Sequence, residues 1–175
     1  MVTQLNQEIE LILKKHIGGK AFFDALDMMI RSNVDILRLA MNHLVSNVGI
    51  DDNILILTGQ FGRIVTERYS ALLKKRFCEV YVLPSGISRV SCDSIKRDLK
   101  GLIEFHKVWP DLVYYFFDDS YYSGTTRDRI EEVLFEETGH EFRTSIVVYD
   151  GSIRYDSTVR SLFRYHPIIE EPLPF

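Results

Sequence analysis

From Asp51 onward the chain alternates between short, unbroken apolar runs and longer amphipathic stretches, a pattern that few architectures accept. The runs occupy residues 54–57, 80–83, 112–117 and 145–149, and each ends in a glycine or polar turn. Apolar side chains on consecutive positions point to both faces of a strand, so both faces need cover. The stretches between them supply it at helical spacing: Val65, Tyr69, Leu72 and Leu73; then Ile95, Leu99, Leu102, Ile103 and His106; then Ile130, Val133 and Leu134, stopped by Gly139. The expectation is an α/β fold, with an open, mainly parallel sheet, right-handed crossovers and flanking helices.

The first 49 residues read as a helical N-terminal cap. Leu5, Ile9, Ile12 and Leu13 mark one apolar face ended by Gly18-Gly19; Phe22, Leu26 and Met29 mark a second; Val34, Leu37, Met41, Leu44, Val45 and Val48 mark a third, up to Gly49. A length of 175 residues with 46% hydrophobic content suits one domain with a continuous core. Its parts are the cap (1–49), an α/β core (51–150) and a C-terminal strand and tail (151–175). With 21 Lys and Arg against 25 Asp and Glu, the net charge of −4 gives no global attraction for nucleic acid or anionic membrane. The tail interleaves Arg154, Tyr155, Arg160, Phe163, Arg164, Tyr165 and His166, a composition that could stack a base, or that simply closes the sheet as a last strand. Cys78 and Cys92 form no CxxC pair and lie near no Cys/His cluster, which points to a reducing, cytoplasmic setting. The N-terminus lacks signal-peptide charge, and no apolar run approaches the ~20 residues that span a bilayer, so a soluble chain is expected.

Open α/β sheets bind ligands beyond the carboxyl ends of their strands, so the residues just after each run carry the chemistry. After the third run stand Asp118-Asp119, then Ser120-Tyr121-Tyr122, then Ser123-Gly124-Thr125-Thr126, with a helix expected from about Arg127. A small, hydroxyl-rich turn at a helix N-terminus has the donors of a phosphate cradle. Two carboxylates repel that phosphate and suit a neighbouring diol, or a metal that bridges to it. A phosphate beside a diol describes a ribose 5-phosphate.

At this point residues 114–126 resemble the signature of the type I phosphoribosyltransferases: four apolar residues, two acids, three variable positions, a small residue, Gly, one position and Thr. The resemblance extends over roughly residues 51–150. It implies that Asp118 and Asp119 contact the ribose hydroxyls of phosphoribosyl pyrophosphate (PRPP), that they act in catalysis, and that they touch Mg²⁺ only indirectly, through ribose or water. It implies a 5′-phosphate site at Tyr122, Ser123, Gly124, Thr125 and Thr126, and a pyrophosphate loop at Thr58, Gly59, Gln60 and Arg63. A flexible lid would follow the second strand, at 84–94, with Arg89 as its catalytic cation. The implied reaction displaces pyrophosphate from C1 of Mg²⁺·PRPP with a nitrogenous base or related acceptor; the expected assembly is a homodimer.

Other readings stay open. Family pyrophosphate loops carry Lys or Arg before the glycine, where this chain has Thr58, so a non-catalytic PRPP or nucleotide sensor of the same fold is the alternative. Asp118-Asp119 could simply cap a turn. A phosphoacceptor domain would need a further acidic cluster after the first strand and a later lysine, and Thr58-Gly59 and Asp150-Gly151 supply neither. In hypoxanthine-type members an acid stands as general base where this chain has Tyr122. His106, on an apolar helix face, reads as a core histidine; His16, His43, His140 and His166 show no ligand spacing.

Overall fold

A computed structural model describes residues 20–152 and 155–164, with side chains from Asp24 onward. The helix expected around Leu5 to Leu13 and the tail beyond Arg164 fall outside the described residues. Two cap helices come first, α1 (Lys20–Ser32) and α2 (Val34–Asn47). Asn33 separates them and caps the second, its Oδ1 accepting from the backbone N–H of Asp35 and Ile36 at 3.0 and 3.1 Å.

The core follows as β1 (Asn53–Thr58), α3 (Gly59–Arg76), β2 (Glu79–Leu83), a 3₁₀ turn (Ile87–Arg89), α4 (Cys92–Asp98), α5 (Lys100–Val108), β3 (Val113–Tyr121), α6 (Thr125–Thr138), β4 (Phe142–Asp150) and β5 (Val159–Arg164). The five strands form one all-parallel sheet in the order β2-β1-β3-β4-β5. Successive residues of β1 serve opposite faces: Leu55 and Leu57 pack with α1, α2 and α3, while Ile54 and Ile56 pack with α4, α5 and α6. All four are 0% exposed, so the unbroken apolar run is the mark of a strand covered on both sides. Burying each such side chain is worth about 1.5–3 kcal/mol.

The structure departs from the sequence reading at two places. The single helix expected through Ile95 and His106 is two, because Leu99 takes ψ 3° between α4 and α5. Ile95, Leu99, Leu102, Ile103 and His106 are nonetheless all buried, so the bend keeps the apolar phase and leaves no trace in the spacing. Strand β3 runs through the acid pair to Tyr121 instead of ending before it, and α6 begins at Thr125 rather than about Arg127. Between β4 and β5 the chain returns for a parallel strand, and the described residues of the link, 151–152 and 155–158, hold no helix. Such returns usually take a dozen residues or more. The cover that a crossover helix would have given comes from α2, whose His43 Nε2 lies 3.1 Å from the carbonyl oxygen of Arg160 on β5. No helix among the described residues is long and apolar enough to cross a membrane.

Candidate functional site

In the order β2-β1-β3-β4-β5, the neighbours of β1 lead away to opposite sides, and the crevice between the carboxyl ends of β1 and β3 is where such sheets take ligands. A cleft of about 260 Å³ opens there. Its walls are Thr58, Gly59 and Gln60 from the β1–α3 turn, residues 85–87 after β2, Asp118 and Asp119 of β3, Thr126 of α6, and Arg31 of α1. The two segments singled out from sequence, separated by about sixty positions, therefore share one cavity. Strand order alone carries no function, since many activities share it.

Asp118 accepts from Thr58 Oγ1 at 3.0 Å and, through Oδ1, from the backbone N–H of Asp119 at 3.0 Å. Burial first, and the neighbouring Asp119 second, push its carboxyl well above the usual carboxylate range. Asp119 is 4% exposed, so the pair is not set at an open strand end. Its Oδ2 receives Arg31 Nε at 2.7 Å, and Ser120 Oγ donates to its Oδ1 at 3.4 Å. The same guanidinium lies 3.9 Å from Asp27, one turn earlier on α1. Burial works against the charge on Arg31, and Asp119 and then Asp27 more than restore it. The cap helix is thus tied to the acid pair by an ion pair spanning 88 positions.

At the phosphate-type turn, Gly124 has φ 78° and precedes the first residue of the 14-residue helix α6. A Cβ there would stand 2.6 Å from the Tyr121 hydroxyl, so the glycine serves the backbone conformation and the packing of Tyr121 as well as any ligand. In the first turn of α6 the Thr125 N–H donates to Ser123 Oγ at 3.4 Å, and helix N-terminal amides that lack a carbonyl partner are groups from which an anion can accept. Ser123 Oγ and Thr125 Oγ1 lie 2.9 Å apart on the exposed side, and Thr126 lines the cleft. Behind the turn, Arg127 donates to Asp156 at 2.8 Å and to Thr158 at 2.9 Å. Burial alone would raise the Asp156 carboxyl; bonds from Thr158 and Arg127 override it and hold it at about 2. The return to β5 is thereby fastened to the base of the turn.

Tyr122 turns away from the turn into the core under the cap, packing on Tyr149 at 6.0 Å and over Gly151, and burial raises its phenol. Gly59 has φ 57°, a conformation that favours glycine where the loop turns past Ser85. Arg63 on α3 and Arg89 in the 3₁₀ turn are exposed and lie outside the lining of the cleft. The cation that does line it, Arg31, escaped sequence reasoning. Asp27 and Arg31 form an i,i+4 pair beside the buried stripe of Leu26 and Ile30, a pattern that marks a helix edge and says nothing of Asp119. His106 is a satisfied core histidine, receiving the Tyr114 hydroxyl or donating to it at 2.7 Å.

A second, more open cleft of about 550 Å³ lies between α1 and α3, lined by Asp24, Asp27, Met28, Arg31, Ser32, Gln60 and Ile64. Arg31 and Gln60 belong to both cavities. Among the described residues, no three His, Cys, Asp or Glu side chains converge as metal ligands. With Asp118 pushed toward its neutral form and Asp119 engaged by Arg31, the acid pair does not fit a protein-held Mg²⁺. No protein-family model matches the chain, and no curated protein matches it either.

Proposed function

We propose that the chain is a phosphoribosyltransferase: it binds Mg²⁺·PRPP in the cleft between β1 and β3 and transfers the ribose 5-phosphate group to a nitrogenous base or related acceptor, releasing pyrophosphate. One observation carries the reading: an acid pair, a hydroxyl-bearing helix N-terminus and a glycine turn converge on one cavity at the switch point of the sheet. Mg²⁺ enters as part of the substrate, bound to its pyrophosphate. In this reading the first-turn amides of α6, with Ser123, Thr125 and Thr126, hold the 5′-phosphate. Asp119 and Asp118 accept from the ribose hydroxyls. The backbone at Gly59 and Gln60 faces the pyrophosphate. As the bond from C1 to pyrophosphate breaks, positive charge develops on the ribose ring, and the adjacent carboxylate stabilises it. The partners are PRPP and a small-molecule acceptor, with a homodimer and a cytoplasmic setting as part of the same proposal.

Calorimetry with Mg²⁺·PRPP tests it. Asp118→Asn combined with Asp119→Asn should weaken binding at least tenfold, since each charge-assisted hydrogen bond is worth about 1.5–3 kcal/mol. Thermal melting must accompany the titration, because Asp119→Asn strips Arg31 of its ion pair. A folded double variant that binds PRPP as well as wild type sinks the ribose assignment.

The exposure of Arg63 and Arg89 away from the cleft favours a second reading, a PRPP-binding regulator without turnover. Release of pyrophosphate across a panel of purine and pyrimidine bases separates the two.

A further inference from the structure

A polyanion entering this cleft meets Asp118 and Asp119, and without a cation the site would repel it. The turn at Thr58 provides none, and Arg63 and Arg89 lie outside the lining. Arg31 is the one cationic side chain among the described residues that line either cavity. We infer that Arg31, carried on cap helix α1 and pinned through its Nε by Asp119, binds the pyrophosphate end of the ligand and supplies the positive charge that the cleft-lining turn at Thr58, Gly59 and Gln60 lacks. The inference rests on the PRPP reading.

The geometry suits this role in three ways. Arg31 commits Nε to Asp119 at 2.7 Å, while Asp27 stands 3.9 Å from Nη2, beyond hydrogen-bond reach. The terminal N–H groups thus remain for a ligand, in the planar fork that matches phosphate oxygens. The ion pair also fixes the side chain before any ligand arrives, so little rotamer freedom is left to lose on binding. Finally, Arg31 borders both cavities, standing between the acid pair and the groove beside α3, where a group departing from the ribose can meet it.

The test compares ligands that differ only in the pyrophosphate. Wild type, Arg31→Met and Arg31→Lys are titrated with ribose 5-phosphate, inorganic pyrophosphate and PRPP, each with Mg²⁺, alongside thermal melts. Arg31→Met should keep ribose 5-phosphate binding within a few-fold and lose roughly ten- to a hundredfold in affinity for pyrophosphate and PRPP, with Arg31→Lys recovering part of it. A role confined to stapling α1 onto Asp119 would weaken all three ligands alike, and that result, or undiminished PRPP binding by Arg31→Met, overturns the inference. Should the variants fail to fold, phenylglyoxal labelling of wild type decides: pyrophosphate should slow modification of Arg31 and leave exposed Arg68 unaffected, and equal labelling with and without pyrophosphate refutes the assignment. If wild type binds neither ribose 5-phosphate nor PRPP, the PRPP reading itself fails and takes this role with it.

Discussion

Asp27 faces a crowded set of groups: Asp24 and Arg31 on its own helix, Asp119 and Ser120 on β3, and Tyr122 just after that strand. Burial, then the charge of Asp119, push its carboxyl up to about 7, with Ser120 and Arg31 pulling the other way. A folded-state value above the ordinary 3.8 means that the native protein binds more protons than the unfolded chain between those limits. Asp27 therefore subtracts stability as pH rises from about 4 to about 7. Asp27→Asn is expected to raise the melting temperature, and by more at pH 8 than at pH 5. A shift of equal size at both values would mean that Asp27 titrates as an ordinary surface acid. No spacing rule could have exposed this residue, whose properties come from a strand some ninety positions away.

At the scale of elements, α3 meets the sheet at Gly62 with no room for a side chain. A Cβ at that position would lie 2.9 Å from both Leu57 Cβ and Val82 Cγ1, side chains of two adjacent strands that cannot both retreat. Gly62→Ala would gain about 1 kcal/mol in helix propensity, and overpacking of this kind costs about 1–3 kcal/mol, so the urea midpoint should fall. A variant more stable than wild type would show that α3 can lift off without loss. Gly62 lies between Gln60 and Arg63 of the loop read from sequence, and its task there is packing. The strands, the acid pair and the glycine turns were legible because each depends on residues a few positions apart. The bend at Leu99 and the extension of β3 to Tyr121 were not, since both preserve the local apolar pattern.

Across the whole molecule, the α/β class follows from the unbroken apolar runs, and the common cleft follows from the strand order. What the sequence hid is the way distant segments complete each other: Arg31 on the acid pair, and α2 lying under strands that end the described chain. A chain ending at Asp150 would leave the outer edge of β4 unpaired and part of the α2 face uncovered. It should lose the cooperative thermal transition of the full chain, and a truncated protein that melts sharply at the wild-type temperature would show that β4 alone holds α2. The contact between α2 and β5 has a further consequence on the ribosome. Once helix α2 has been synthesised, His43 meets its partner Arg160 only 117 residues later, a wait of roughly 6–23 s at bacterial or eukaryotic synthesis rates. Leu37, Met41 and Leu44, which end fully covered, meet β1, β3 and β4 first and β5 only at the end of that interval. A nascent chain built this way keeps the β5 side of that helix open to holdase chaperones until β5 itself has emerged.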